Sequence, residues 1–334
     1  MSSIMTNVSA MTALKTLRET NASLTTTQAR ISTGYRVSEA SDNAAYWSIA
    51  TTMRSDNKAL STVKDALGLG AAKVDTAYTG LNSAISVVDE IKAKLVAARE
   101  PGVDKTKIQS EITQLQGQLS ANAAAASFSG ENWLSVDSSA AGYSATKSIV
   151  SSFTRSSTGT VSVGTISINI ASTIMFDAAV NTATTGTGIL DTKYLAATGA
   201  VGSYVSDGTV HADQTTAEDA LVFTVTGLSI SLLTTSADDV AVLEGYIKGV
   251  DHALSRMTTA ASDLGAAKKR VDLQQSFVNS MMDAIDRGVG TLVDADMNRE
   301  STRLQALQVQ QQLGIQALSI ANSNSQSIMS LFRS

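Results

Sequence analysis

Apolar residues recur every seventh position over long stretches at both ends of this chain. In the first half Tyr46, Met53, Leu60, Leu67, Val74, Leu81, Val88 and Leu95 stand at strict seven-residue intervals. Ile49, Val63, Ala77, Ala84 and Ile91 fill most of the intervening positions. An apolar period of about 3.5 residues predicts a left-handed supercoil, because an α-helix must underwind to hold such a stripe on one side. The predicted helix runs from about Asp42 to Arg99, roughly 85 Å at ~1.5 Å per residue. It stops at Pro101-Gly102, which contains the only proline of the sequence. A second helix then returns, with Ile108, Ile112, Leu115 and Leu119 on one face.

The last part of the chain mirrors the first. Leu243, Val250, Met257, Leu264, Val271, Val278, Ile285 and Leu292 are again seven apart. Val240, Ile247, Leu254, Ala261, Met282 and Val289 supply most of a second seam, interrupted by Lys268 and Gln275. After Leu292 the phase slips by five residues to Met297, and a weaker pattern follows at Leu304, Leu307, Leu318 and Ile328. The extreme N-terminus has a short seam of its own, Leu14, Leu17, Leu24 and Ile31, broken by Asn21 and Gln28. A single apolar stripe does not offset the entropy of ordering a long helix, so helices from the two ends must pack in one bundle. The terminal seams are poorer still. They are expected to order only on association, which makes Leu14, Leu17, Leu24, Ile31, Leu304, Leu307, Leu318 and Ile328 the expected subunit-packing residues.

Between the helical halves the period changes to two. Val161, Val163, then Ile166, Ile168 and Ile170 alternate with polar residues, as do Leu221, Phe223, Val225, then Leu228, Ile230 and Leu232. Each run slips at a glycine, Gly164 or Gly227, as a bulge or turn would. The fold class is therefore mainly α: a long antiparallel helical coiled-coil bundle built from both chain ends, with a small β-rich inserted outer domain. The expected division is 1–35 with 293–334 as a terminal helical core, 36–137 with 236–292 as the long-helix bundle, and 138–235 as the insert.

Composition narrows the function. Apolar residues make up 43% of the 334-residue chain but aromatics only 4%, a mix suited to slender helix packing. A net charge of −5 argues against a nucleic-acid partner, which calls for a basic face. The one tight basic cluster, Lys268-Lys269-Arg270, reads as a solvated helix face. There is no cysteine, which excludes disulfides, thiolate metal sites and a cysteine nucleophile. The N-terminus carries no basic stretch followed by an apolar run, and no segment is long and apolar enough to span a bilayer. By themselves these features point to the cytosol, with no membrane partner.

Candidate chemistry is sparse. His211 has Asp213 nearby, but the spacing is uninformative. His252 falls two residues after Val250, on an outer helix face. Gly68-Leu69-Gly70-Ala71-Ala72-Lys73 faintly suggests a phosphate loop, yet it lacks the Gly-Lys-Ser/Thr ending and lies inside an uninterrupted heptad. Asp294 and Asp296 are two apart and do not face each other on a helix. No metal-binding motif occurs, and no catalytic, cofactor or metal site is expected.

The segment Ala29–Ala50, ARISTGYRVSEASDNAAYWSIA, resembles the signature of bacterial flagellins. There a short terminal helix ends in a turn, and an acidic pair with two alanines opens the long helix. Ser32, Gly34, Arg36, Ala40, Asp42, Ala44, Ala45, Ile49 and Ala50 match that pattern. Asn43 replaces the second acid and Tyr46 a usual glycine, which makes Gly34, Arg36, Asp42 and Asn43 the family-signature turn. Phe128–Leu134 (FSGENWL) resembles the family's Phe-Asn-Gly turn, and Asp294-Ala295-Asp296 its entry to the last helix. The closing residues Gln310-Gln311, Ala317-Leu318, Ala321-Asn322 and Leu331-Phe332-Arg333 are similar in style, and the tone is that of alpha-proteobacterial flagellins.

The resemblance implies a structural, non-enzymatic subunit that polymerises, with itself and other flagellins, into an extracellular flagellar filament for swimming. Its partners would be the type III flagellar export apparatus, an export chaperone and the filament cap. The alternative within the same resemblance is a hook–filament junction protein.

Overall fold

The structure, a computed structural model, describes residues 7–179, 188–195 and 222–331. His211, Asp213 and Leu221 lie outside the described residues, as does the side chain of Ile328. Among the described residues five helices form, in chain order: α1 (Val8–Thr33), α2 (Ala44–Ala98), α3 (Lys105–Ala125), α4 (Ala237–Val293) and α5 (Met297–Leu331). Between α3 and α4 come short strands β1 (Ser127–Phe128), β2 (Glu131–Asn132), β3 (Ser135–Val136), β4 (Thr146–Arg155), β5 (Val161–Asn169), β6 (Phe176–Asp177), β7 (Tyr194–Leu195) and β8 (Val222–Phe223). The chain is mainly helical, with a strand-containing insert between its helical halves. Two compact units divide it, Met1–Ala59 with Ser280–Ser334, and Leu60–Asn279.

Local chemistry sets the helix ends. Asn7, Asn43, Asp104 and Asp296 each precede a helix, and each side-chain oxygen accepts from one or two backbone N–H groups of the first turn. At α4 the Ser236 hydroxyl accepts from Asp239 N–H, and the Asp239 carboxylate accepts from Thr234 N–H at 2.7 Å. That reciprocal arrangement is a capping box shifted slightly upstream.

In the Leu60–Asn279 unit, α2 and α4 run antiparallel. Asp75 meets Lys268 at 2.5 Å, and seventeen residues further along α2, Lys92 meets Asp251, seventeen back along α4. Arg99 then meets Glu244 at 2.6 Å. Leu67, Val74, Leu81, Val88 and Leu95 are fully buried, as are Leu243, Val250, Met257 and Val271. The second seam of α4 differs from the expected one. Tyr246, Ala253 and Ala260 are the deeply buried positions, whereas Ile247, Leu254 and Ala261 are half-buried. The seam therefore passes three residues after each heptad leucine or valine rather than three before it. Lys268 does not break it, and instead reaches Asp75 from the flank.

The returning helix α3 lies along α2 through Ile108, Ile112 and Leu119, with a Lys94–Glu111 ion pair at 2.5 Å. Beyond it, Ser129 (φ 52) and Gly130 (φ 80) form a two-residue turn between β1 and β2, both in the left-handed region as a type I′ hairpin needs. Asn132 joins this turn to the end of α3, donating to Ala123 O at 2.7 Å and accepting from Leu134 N–H and Ser135 N–H at 2.9 Å.

The strands β4 and β5 pair antiparallel, with the register shift between Val150 and Ser152, opposite Gly164. A Cβ on Gly164 would lie 2.3 Å from the Ser152 hydroxyl, so the slip read at that glycine is a bulge carried by β4. The second alternating run is mostly not a strand. Only Val222–Phe223 pairs, with β7, and Gly227 N–H donates back to Thr224 in a turn. Further on, α3 takes the place of a neighbouring strand. Ile230 N–H donates to Gln109 Oε1 at 2.7 Å, and Gln116 Nε2 donates to Val225 O and Leu228 O at 2.9 and 3.1 Å. Leu228 and Ile230 are buried, and Leu232 is left exposed.

The glycine run 68–73 is helical throughout. Gly70 is buried where Ile149 of β4 presses on α2, and a Cβ there would lie 2.4 Å from Ile149 Cγ2. Gly70→Ala gains about 1 kcal/mol of helix propensity but loses about 1–3 kcal/mol to overpacking. Chemical denaturation is expected to show it destabilised, and the same change to be stabilising in an Ile149→Ala background. A Gly70→Ala variant more stable than its parent would contradict the close seat.

Candidate functional site

The Met1–Ala59 and Ser280–Ser334 unit holds the terminal helices and the turn that joins them to the long ones. Within it α1 and α5 pair antiparallel. Asn7 Nδ2 donates to Ala321 O at 3.0 Å, Gln311 Nε2 to Asn21 Oδ1 at 2.8 Å, and Arg30 pairs with Glu300 at 3.3 Å. The facing positions on α1 are Ala13, Leu17, Thr20, Leu24, Thr27 and Ile31, and on α5 Glu300, Leu304, Leu307, Gln311, Gly314 and Leu318. Both sets follow a strict three–four spacing, as a two-helix coiled coil requires.

This seam is thin. Its buried members on α1 are Thr20 and Thr27, and on the described part of α5 Glu300 and Leu307. Thr20 satisfies its hydroxyl by donating to Thr16 O at 2.9 Å. Of the residues expected to pack subunits, Leu17, Leu24, Ile31, Leu304, Leu307 and Leu318 sit in this seam within one chain. Leu14 is exposed. Thr20 and Thr27 hold seam positions, as their spacing alone marks them, whereas Asn21 and Gln28 are exposed.

Other apolar side chains point away from the seam. On α1 these are Val8 (67% exposed), Met11 and Leu14, three apart. On α5 they are Val309, Leu313, Ile315 and Ile320 (68% exposed). Each helix thus carries apolar residues on faces its partner does not cover.

The joint is built by the signature turn. Gly34 ends α1 in the left-handed conformation (φ 76), and its N–H donates to Arg30 O. Arg36 and Val37 donate their N–H groups to Val293 O, and Ala295 N–H donates to Gly34 O. The Arg36 guanidinium donates to Leu292 O at 2.8 Å, a cation placed at the negative end of α4. Val37 closes a small core with Ala50, Val289 and Val293, edged by Met53, Ile285 and Leu292. Tyr46 and Ile49, expected in the α2 seam, are exposed, because Ala50 takes the inward position there. Asp42 organises the loop, its carboxylate accepting from Ser38 N–H at 2.9 Å, Glu39 N–H at 3.2 Å and the Ser38 hydroxyl at 3.2 Å. Those backbone donors hold its carboxyl below the usual aspartate range. Asn43 caps α2, and Asp296 rather than Asp294 caps α5. Elsewhere His252 is exposed, its ring centroid 5.9 Å from that of Tyr194.

Comparison with known proteins is decisive. Residues 4–139 match the bacterial flagellin N-terminal helical region, and residues 247–332 the bacterial flagellin C-terminal helical region. The chain is 49% identical to Flagellin A of Rhizobium meliloti and 53% identical to Flagellin C of Rhizobium meliloti strain 1021, in each case over the whole of both chains. It is 44% identical to a flagellin of Brucella melitensis, again end to end. The chain belongs to the bacterial flagellin family.

This flagellin is a structural subunit that polymerises, with itself or other flagellins, into the flagellar filament of motility. Nothing in the matches favours a hook–filament junction protein. The N-terminal flagellin match spans α1, the signature turn, α2 and α3. The C-terminal one spans most of α4, the 294–296 link and α5.

The turn can be tested by pH. The folded pKa of Asp42 is lowered, so its contribution is present above the unfolded value and is lost as pH falls through the folded one. Thermal midpoints measured from about pH 5 down to about pH 2 are expected to fall further for the parent than for Asp42→Asn. An Asp42 carboxyl titrating by NMR at or above the ordinary aspartate value would contradict this.

Proposed function

We propose that the α1–α5 pair is the part of the molecule that makes the filament cohere. On this reading 1–35 with 293–334 forms the inner layer, 36–137 with 236–292 the next, and 138–235 the outer surface. The observation that carries it is the exposed apolar set Val8, Met11, Leu14, Val309, Leu313, Ile315 and Ile320 on the outward faces of two helices whose own seam buries little. Helices with so few buried apolar groups are marginal in water, since most helical stability comes from packing an apolar face. Burying those outward faces against neighbouring copies supplies what the seam lacks, so the ends order as the polymer forms.

The expected subunit-packing role of Leu17, Leu24, Ile31, Leu304, Leu307 and Leu318 then takes an indirect form: they hold the pair whose outer faces, with Leu14, meet other copies. The working property is mechanical, and we read the chain as a non-enzyme. Extracellular placement, passage through the flagellar export apparatus with an export chaperone, and growth beneath a filament cap belong to the same proposal. A chain with no cysteine and one proline suits threading and rapid refolding, since neither stray disulfides nor slow proline isomers delay it.

Removing residues 1–33 and 297–334 is expected to abolish polymerisation in sedimentation and negative-stain assays. The intact chain is expected to form filaments and to gain helical circular dichroism as it does so. Trimmed protein that grew filaments as readily as the whole chain would refute the proposal.

A further inference from the structure

A cavity of about 350 Å³ lies in the Leu60–Asn279 unit where α2, the β1–β2 hairpin and β4 meet. Its volume is in the range of small-molecule sites. Its apolar wall includes Leu69, which is 49% exposed, and Ile149. Among the described residues the charged ones that line it are Lys73, Glu131 and Lys147, two cations and one anion. Lys73 donates to Glu131 Oε2 at 2.8 Å. Lys147 stands 3.9 Å from Oε1, beyond hydrogen-bond range. The two lysine side chains are only 23% and 25% exposed. Lys73, then Lys147 and last the indole N–H of Trp133 hold the Glu131 carboxyl below the usual glutamate range. That indole N–H lies toward the carboxylate, yet it is buried and closes no hydrogen bond among the described residues. The cavity thus already holds one carboxylate, and keeps an excess positive charge and an orphaned N–H donor beside it. Sheltered groups of that kind gain from an anionic partner. Lysine stems that merely cover apolar surface would account for the buried stems, but not for the orphaned donor.

We propose that this cavity binds a small organic monocarboxylate, held by Lys147 and Trp133 Nε1 beside Glu131, with its short apolar stem against Leu69. The Glu131 side chain is 41% exposed, so it has room to move outward and admit the ligand to the indole N–H. Three features select this class of ligand. One excess positive charge matches one negative charge. The same donors already hold a flat, two-oxygen group in Glu131. The exposed face of Leu69 fits a stem of a few carbons. A dianion such as phosphate would instead set surplus negative charge next to Glu131. The lining residues come from α2, the hairpin and β4, so an occupied cavity fastens those three elements together. The site stands independently of the polymer reading above.

Fluorescence tests it, because Trp133 and Trp47 are the two tryptophans of the chain. The full-length Trp47→Phe chain is titrated with sodium butyrate near neutral pH, at a constant ionic strength of ~0.1 M. Sodium chloride, 1-butanol and inorganic phosphate are titrated in parallel. Butyrate is expected to give a saturable change in Trp133 emission that chloride and 1-butanol do not give. Adding Lys147→Gln is expected to weaken butyrate binding about tenfold, the loss of one charged hydrogen bond. Adding Glu131→Gln instead is expected to tighten it about tenfold, because an internal carboxylate no longer competes for the same donors. An ion pair with a structural role alone predicts no such gain, and a poorly folded variant could not produce one. The cavity is not a carboxylate site if the emission change does not saturate, or follows chloride or 1-butanol equally. Nor is it one if both variants bind butyrate as the Trp47→Phe chain does, if Glu131→Gln binds no tighter, or if phosphate binds more tightly than butyrate.

Discussion

A helix with one apolar stripe has to be covered along its whole length, and this constraint organises the Leu60–Asn279 unit. The α2 and α4 stripes cover each other from Leu67 to Leu95 and from Leu243 to Val271. What remains uncovered on their flanks decides where everything else goes. Helix α3 takes one flank through Ile108, Ile112 and Leu119. Ile149 of β4 settles at Gly70, Leu134 beside Gly80 and Phe223 beside Gly249. At each of these the helix surface is cut down to a backbone, and a bulky side chain from the stretch between α3 and α4 approaches it. That stretch is thus held by the helices at specific small positions.

The same spacing rule is used with different chemistry in the two units. In the α2–α4 seam the three–four positions are apolar and buried, and the ion pairs flank the seam. In the α1–α5 seam threonine, glutamate and glutamine occupy several of those positions. A seam of that kind specifies direction and register through Arg30–Glu300 and Asn21–Gln311 while contributing little apolar burial. The joint at Gly34–Asn43 combines the two regimes. Its backbone hydrogen bonds to Val293 O tie the end of α1 to the end of α4 through groups that depend little on side-chain identity, and the Arg36 guanidinium adds a side-chain bond to Leu292 O.

Much of this was legible beforehand, and the misses have physical causes. The long heptads, the stop at Pro101-Gly102 and the turn at Gly34 depend on local spacing and local backbone preference, which any short window of sequence carries. The flank of α4 that becomes the deep seam was not legible, because Ile247 and Tyr246 are both apolar and only the partner helix chooses between them. Thr20 and Thr27 were missed because a threonine that bonds its own helix backbone can be buried without looking apolar. The run after Gly227 alternates like a strand, yet its backbone bonds to Gln109 and Gln116, residues more than a hundred positions away.

Sequence by itself determined the helical period, the pairing of the two chain ends and the resemblance that led to the flagellin family. These follow from where apolar groups fall on an α-helix and from short motifs with one workable backbone conformation. Tertiary structure alone decided which flank of each helix is buried and which apolar residues of α1 and α5 are left exposed. It also decided that part of an apparent strand is held by glutamine side chains. Such choices compare the free energies of alternative partners, and the partner is set by packing that no local stretch of chain contains.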